Sequence, residues 1–181
     1  MTENWDFYPC RVEDEPATIM LNLGLAQAAP IAEMPVCAWL RVLLVSPRAD
    51  GLSSSEEFDR LCEIGDALEA AIAEAPTPIR YAGRCTCSGR RDFYVYTASG
   101  LAAEALLSSV MAAFAEYDFD TGYRDDPQWS LYREFLYPGP RSLQLINNRR
   151  VLEALEQRGD PLTESRPVRH FVDFDADAEI E

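Results

Sequence analysis

The stretch RCTCSGRRDFYVYT, residues 84–97, decides how the chain is read. Residues 79–87 and 91–97 read as two strands rich in aromatic and β-branched residues, joined by Ser-Gly-Arg. Alternate side chains of a strand share a face. Cys85 and Cys87 therefore point to one side of their strand. On the partner strand Phe93, Val95 and Thr97 share one side, and Tyr94 and Tyr96 take the other. The question is whether this stretch is a metal or redox site, a nucleic-acid platform, or a hairpin.

Working outward, the hairpin is flanked by two helical patterns. Upstream, Ser54 followed by Glu57 marks a helix start. Phe58, Leu61, Leu68 and Ile72 then recur at helical spacing, with Gly65 on the same face, where it allows close approach to a sheet. The Pro-Thr-Pro at 76–78 ends this helix. Downstream, TASG at 97–100 opens a second helix with the stripe Ala103, Leu106, Leu107, Val110 and Phe114. Residues 36–45 before the first helix and 118–124 after the second read as strands. The order strand, helix, strand, strand, helix, strand is the ferredoxin-like arrangement. It places two helices on one face of an antiparallel sheet and leaves the other face available. Residues 5–10 and 17–23 read as an added N-terminal hairpin, which extends the sheet or covers its open face. WSLYREFLY at 129–137 reads as a further strand. A helix follows over about 142–158, with Val151, Leu152 and Leu155 inward and Gly159 as its stop. RPVRHFVDF then reads as another strand, which completes a C-terminal partial βαβ unit.

Composition narrows the function classes. The 181 residues hold 31 acids against 16 bases, a net charge of −15, and every base is arginine. A chain this acidic repels phosphate backbones, on whose neutralisation nucleic-acid affinity rests. RNA-recognition motifs share the strand order and stack bases on central aromatics, but RRDFYVYT lacks their glycine-containing pattern. No direct nucleic-acid binding is expected. The odd count of cysteines (Cys10, Cys37, Cys62, Cys85, Cys87) suits a reducing compartment. The acidic N-terminus does not read as a signal peptide. The apolar run VCAWLRVLLV is far short of a membrane span. The expectation is a cytoplasmic protein without membrane contact.

No site chemistry assembles from the motifs. Structural zinc wants four ligands at recognisable spacing, and here His170 is the only histidine and no second CxC or CxxC pair occurs. A redox pair favours CxxC at a helix N-terminus. Cys85 and Cys87 therefore read as buried packing. GxSxG and phosphate-binding glycine loops are missing from the sequence, so no enzyme activity and no cofactor are expected. Arg90 and Arg91 read as a solvated hairpin tip or as ion-pair donors to nearby acids. Tyr94 and Tyr96, if the far face is open, suit a protein interface. Glu56, Asp59, Glu63 and Asp66 form an acidic helix face fit for a basic partner. The alternating acids of DFDADAEIE, residues 173–181, read as a solvated tail or as an acidic arm.

Two family resemblances bear on these residues. WDFYPCRVEDEPATIMLNLGL at 5–25, GRRDFYVYT at 89–97 and WSLYREFLYP at 129–138 resemble the bacterial domain-of-unknown-function family number 695. Asn148-Arg149-Arg150, Gly159-Asp160 and Arg166-Pro167-Val168-x-His170 resemble the start of RraB, the regulator of ribonuclease E activity B. The first family has no established activity. The second implies a ferredoxin-like fold and a protein that inhibits ribonuclease E by binding it, although here the region reads as truncated. The expectation is an α+β, ferredoxin-like domain over 1–126 and a partial RraB-like unit over 127–181. Its function would be protein binding or regulation, with ribonuclease E or another RNA-processing enzyme as partner and a homodimer as a further option. The alternatives are an enzyme of unrecognised type and a self-associating structural module.

Overall fold

The computed structural model describes residues 3–163. Along the chain run β1 (Trp5–Val12), β2 (Glu15–Asn22), β3 (Val36–Leu43), α1 (Ser55–Glu74), β4 (Ile79–Cys87), β5 (Arg90–Thr97), α2 (Gly100–Val110), β6 (Phe119–Asp125) and α3 (Pro140–Gln157). The strands form one six-stranded antiparallel sheet in the order β1-β2-β4-β5-β3-β6. From β3 onward α1 links β3 to β4 across β5, and α2 links β5 to β6 across β3. The fold is α+β, and these interleaved crossovers agree with the ferredoxin-like expectation.

Tight turns shape the two hairpins. Ser88 (φ 49°) and Gly89 (φ 73°) both take the left-handed conformation, as do Glu13 (φ 50°) and Asp14 (φ 64°). Two left-handed central residues match the right-handed twist of the flanking strands. The N-terminal hairpin extends the sheet: β2 pairs with β4 from Ala17 opposite Cys87 to Leu21 opposite Gly83. A Cβ at Gly83 would lie 2.5 Å from the Met20 carbonyl oxygen, so this pairing needs glycine.

One core layer lies between the sheet and the helices. Leu40, Val42, Phe93 and Val95 meet Leu61, Ile64 and Leu68 of α1 and Ala103, Leu107 and Val110 of α2. The start of α1 departs from the expected capping box. Ser54 makes no side-chain cap bond, and the Glu57 carboxylate instead accepts the N–H groups of Val45 (2.7 Å) and Ser46 (3.1 Å).

The opposite face, read as open or as covered by the N-terminal hairpin, is buried too, but under a different segment. Residues 129–137 are not a strand: Leu131–Leu136 form a π-helical turn. Its buried residues, Trp129, Tyr132 and Leu136, recur at helical spacing. Trp129 at φ 56° breaks any extended run. The Asp126 carboxylate accepts the N–H groups of Ser130 (2.8 Å) and Leu131 (3.0 Å), which starts the turn. Tyr96 stacks on Trp129 with ring centroids 3.8 Å apart. Its hydroxyl donates to Asp126 at 2.6 Å and accepts the Tyr132 N–H at 3.1 Å. Burial opposes ionisation of Asp126, but the donors from Tyr96, Leu131 and Ser130 outweigh it and hold the carboxyl below its ordinary range. Tyr94 meets Phe135 edge-on at 6.1 Å and donates to Asp92 at 3.2 Å. Tyr94 and Tyr96 are thus buried side chains, 8% and 0% exposed, and not an exposed protein-binding pair.

The chain divides into the units Met1–Ile146 and Asn147–Glu181. This division falls later than the boundary expected after residue 126, because Trp129, Tyr132, Leu136 and Ile146 belong to the core of the first unit. The C-terminal partial βαβ unit therefore lacks its expected first strand. In the second unit Val151 and Leu152, expected inward, are 58% and 49% exposed. Gly159 (φ 84°) stops α3 as the sequence implies. Arg166-Pro167-Val168, His170, the strand around them and the acids from Asp173 lie outside the described residues.

Trp129→Ala is expected to destabilise the protein by about 3–5 kcal/mol, and Val151→Ser by less than about 0.5 kcal/mol. Urea unfolding measures both. Burial, the largest cause in each case, pushes the phenols of Tyr8, Tyr81, Tyr94, Tyr96 and Tyr132 above their ordinary value of 10.0. The unfolded phenols ionise first, so stability is complete below pH 10 and falls as pH rises beyond it. Unfolding followed between pH 8 and pH 11 checks this; a flat profile contradicts it.

Candidate functional site

Helix α1 packs over the centre of the sheet, while the N-terminal hairpin extends the sheet past it. On the helix side the hairpin presents Phe7, Thr18 and Met20, which register alignment sets beside Arg84 and Thr86 of β4. Phe58 of α1 and the loop holding Arg48, Leu52 and Ser53 close the remaining sides. The result is a cavity of about 330 Å³ whose lining carries three arginines, Arg48, Arg84 and Arg91.

Strand alternation puts Arg91 here. Phe93 faces the helices, so Arg91, two residues earlier, faces them as well. Arg91 is 3% exposed. Its Nε donates to Thr86 Oγ1 at 2.9 Å, and its Nη1 has no hydrogen-bond partner. Burial, then the charge of Arg84, lowers the guanidinium to about 10, so it stays protonated at neutral pH. Arg84 is half-buried. A Cβ on Gly65 of α1 would come within 3.2 Å of Arg84 Nη1, so this glycine gives the guanidinium its room.

The nearby acids are engaged elsewhere. Asp92, next to Arg91 in the chain, points to the opposite face and takes a two-bond ion pair from Arg41 at 2.9 and 3.0 Å. Asp50 pairs with Arg48 at 2.7 Å. Glu57 is occupied by the two backbone N–H groups. Glu69 is raised by burial, then by Glu3 and Asp66, and Arg84 only partly offsets this. Among the described residues no carboxylate lies within ion-pair distance of Arg84 or Arg91. An unpaired buried cation is costly unless a ligand neutralises it.

A family model, that of the Family of unknown function (DUF695), matches residues 3–137. The chain belongs to the DUF695 family. The DUF695 match runs from β1 through the π-helical turn and includes all residues that line the cavity. The residues read as resembling RraB, from Asn148 on, lie beyond it. No curated protein matches the chain, and no solved structure does.

The sequence-derived candidates of this DUF695 chain do not come together. Glu56, Asp59, Glu63 and Asp66 are exposed along the outer side of α1, where Glu63 pairs with Arg60. Tyr94 and Tyr96 lie buried on the other side of the sheet. Cys85 and Cys87 are buried there as well, their Sγ atoms 3.8 Å apart. The hydrogen bond between the two thiols raises Cys85 and lowers Cys87, and Arg90 adds to the latter. Arg90, read with Arg91 as a solvated tip or an ion-pair donor, lies 3.6 Å from Asp92, in line with the second option, whereas Arg91 is buried and has no such acid among the described residues. Sequence reading missed Arg48, Arg84 and Arg91. For Arg91 the signal was present, since its alternation with Phe93 points it inward.

Replacing Arg91 by methionine removes an unpaired buried charge. Without ligand, Arg91→Met is expected to raise stability by about 1 kcal/mol. A loss of that size in urea unfolding would mean that the guanidinium is well satisfied where it sits.

Proposed function

We propose that this chain is a binding module for a small organic anion, held in the arginine-lined cavity between α1 and the N-terminal hairpin. The observation that carries the reading is Arg91: it is buried, no carboxylate lies within ion-pair distance of it among the described residues, and its Nη1 has no hydrogen-bond partner, although the Cys62 thiol also acts on the guanidinium. The cavity volume falls in the range of small-ligand sites. Among the described residues its lining has no histidine, cysteine or carboxylate, which favours binding over acid–base catalysis. The strongly acidic chain favours the same reading, because a basic pocket within it singles out anions small enough to enter past the surrounding repulsion.

A second reading, protein binding, is favoured by the exposure of Glu56, Asp59, Glu63 and Asp66 on α1. A basic partner suits that face, and the RraB-like resemblance names ribonuclease E as the first to try. Such binding is expected to weaken as salt rises from about 0.05 to 0.5 M. Capture that does not depend on salt would remove the electrostatic mechanism.

The ligand reading is tested by thermal unfolding with millimolar benzoate, phenyl sulfate and phenyl phosphate. At least one is expected to raise Tm by about 3 °C or more. Arg91→Met is expected to abolish the rise. The reading fails if no anion moves Tm, or if the variant responds as the parent does.

A further inference from the structure

We infer that the anion is a phosphomonoester with a flat apolar organic group, its phosphate bound by Arg84 and Arg91 and its apolar part held between Phe7 and Phe58. This rests on the anion-pocket reading and adds to it the charge, the head group and the body of the ligand.

Charge comes first. Arg48 is already paired with Asp50. Arg84 and Arg91 are not paired with any carboxylate among the described residues. The cavity thus offers two guanidinium charges without an ion-pair partner among the described residues, Glu69 acting on Arg84 only at longer range. A carboxylate or sulfate ester brings a single negative charge and leaves one of the two guanidinium groups, of which Arg91 is buried and Arg84 half-buried, without a counter-charge, which is costly. A phosphomonoester is close to doubly charged at neutral pH and neutralises both.

The hydrogen-bond donors fit the same head group. Thr18 is paired in register with Thr86, and Thr86 with Arg91, so the three form one row across the sheet. Arg84 stands in the next row, opposite Met20. The Thr86 hydroxyl accepts from Arg91 Nε, which leaves its own hydrogen to donate. Two guanidinium groups and the hydroxyls of Thr18 and Thr86 supply more donors than two carboxylate oxygens can accept. They suit the three terminal oxygens of a phosphate.

The body of the ligand is read from the aromatic residues. Phe7 and Phe58 are 49% and 47% exposed and both line this cavity, one from the hairpin and one from α1. Phe58 begins the helical stripe that otherwise turns into the core, yet it remains half-exposed. Two phenyl rings at a site rich in donors suit a flat apolar group, which stacks on aromatic faces.

Isothermal titration with four probes tests this: phenyl phosphate, phenyl sulfate, benzoate and inorganic phosphate. Phenyl phosphate is expected to bind about tenfold or more tightly than each of the others. Arg84→Met and Arg91→Met are each expected to weaken it about tenfold, and Arg48→Met by less than about threefold. Phe7→Ser is expected to weaken phenyl phosphate and leave inorganic phosphate unchanged. Circular dichroism checks that each variant is folded, and the half-exposed Arg84 provides a second removal if Arg91→Met does not fold. If phenyl sulfate or benzoate binds as tightly and still depends on Arg91, the phosphate assignment is overturned while the anion pocket stands. If inorganic phosphate binds as tightly as phenyl phosphate, the apolar body is overturned. If none of the four binds, the pocket reading fails together with this one.

Discussion

Six strands form this sheet, but its two helices pack over the four strands they connect, β3 to β6, and leave β1 and β2 beyond their cover. That mismatch governs much of this molecule. The crossovers place α1 and α2 over the strands they connect, and the N-terminal hairpin adds two strands beyond them. The helix-side face of that hairpin is left without a helix of its own. An ordinary sheet would fill this strip with aliphatic residues or leave it polar. Here it presents Phe7, Thr18 and Met20 beside Arg84 and Thr86 of β4 and Arg91 of β5, and the cavity forms where helix cover runs out.

The other face meets the same need differently. Its cover is assembled from the π-helical turn and from Leu25, Met34 and Ile146. Such irregular cover needs polar anchors, because its backbone groups are not satisfied by a regular ladder. Asp126 is the central one, with two backbone N–H groups and the Tyr96 hydroxyl on a single carboxylate. Trp129 Nε1 adds a bond to the Met34 carbonyl, and Tyr8 donates to the Leu136 carbonyl. The tyrosines that look like surface aromatics in the sequence are therefore the fasteners of this layer.

These features also explain what could be read from the sequence. The helices, the central hairpin and the N-terminal hairpin follow from local signals: apolar periodicity, a Ser-Gly turn, a Pro-Thr-Pro stop. Residues 129–137 were misread because alternation and helical spacing overlap over so short an apolar run, and the deciding group, Asp126, acts from outside it. The site was harder still. Arg84 shares its face with Arg91 by plain hairpin register, Thr86 standing opposite Arg91 and Arg84 opposite Phe93, but nothing local shows that this face runs out of helix cover. Arg91 was legible by alternation, but arginine beside a turn is normally solvated, and burial without a counter-charge is a property of the assembled fold. The acidic face of α1 was legible because exposure follows directly from helical periodicity.

The covered far face has a consequence for how the chain assembles. Tyr8 bonds to Leu136, 128 residues away, and Tyr132 bonds to Asn22, 110 residues away. Contacts between such distant segments repay the entropy of closing long loops only after the intervening strands are in place. The second layer is therefore expected to shut last, like a clasp across the two ends of the unit. Until it does, the underside of the sheet, with Ile19, Leu21, Tyr94 and Tyr96, is bare apolar surface. A nascent chain that has made its βαβ crossovers but not yet the turn after Asp126 carries that surface unprotected, and this is the stage at which it is most prone to self-association.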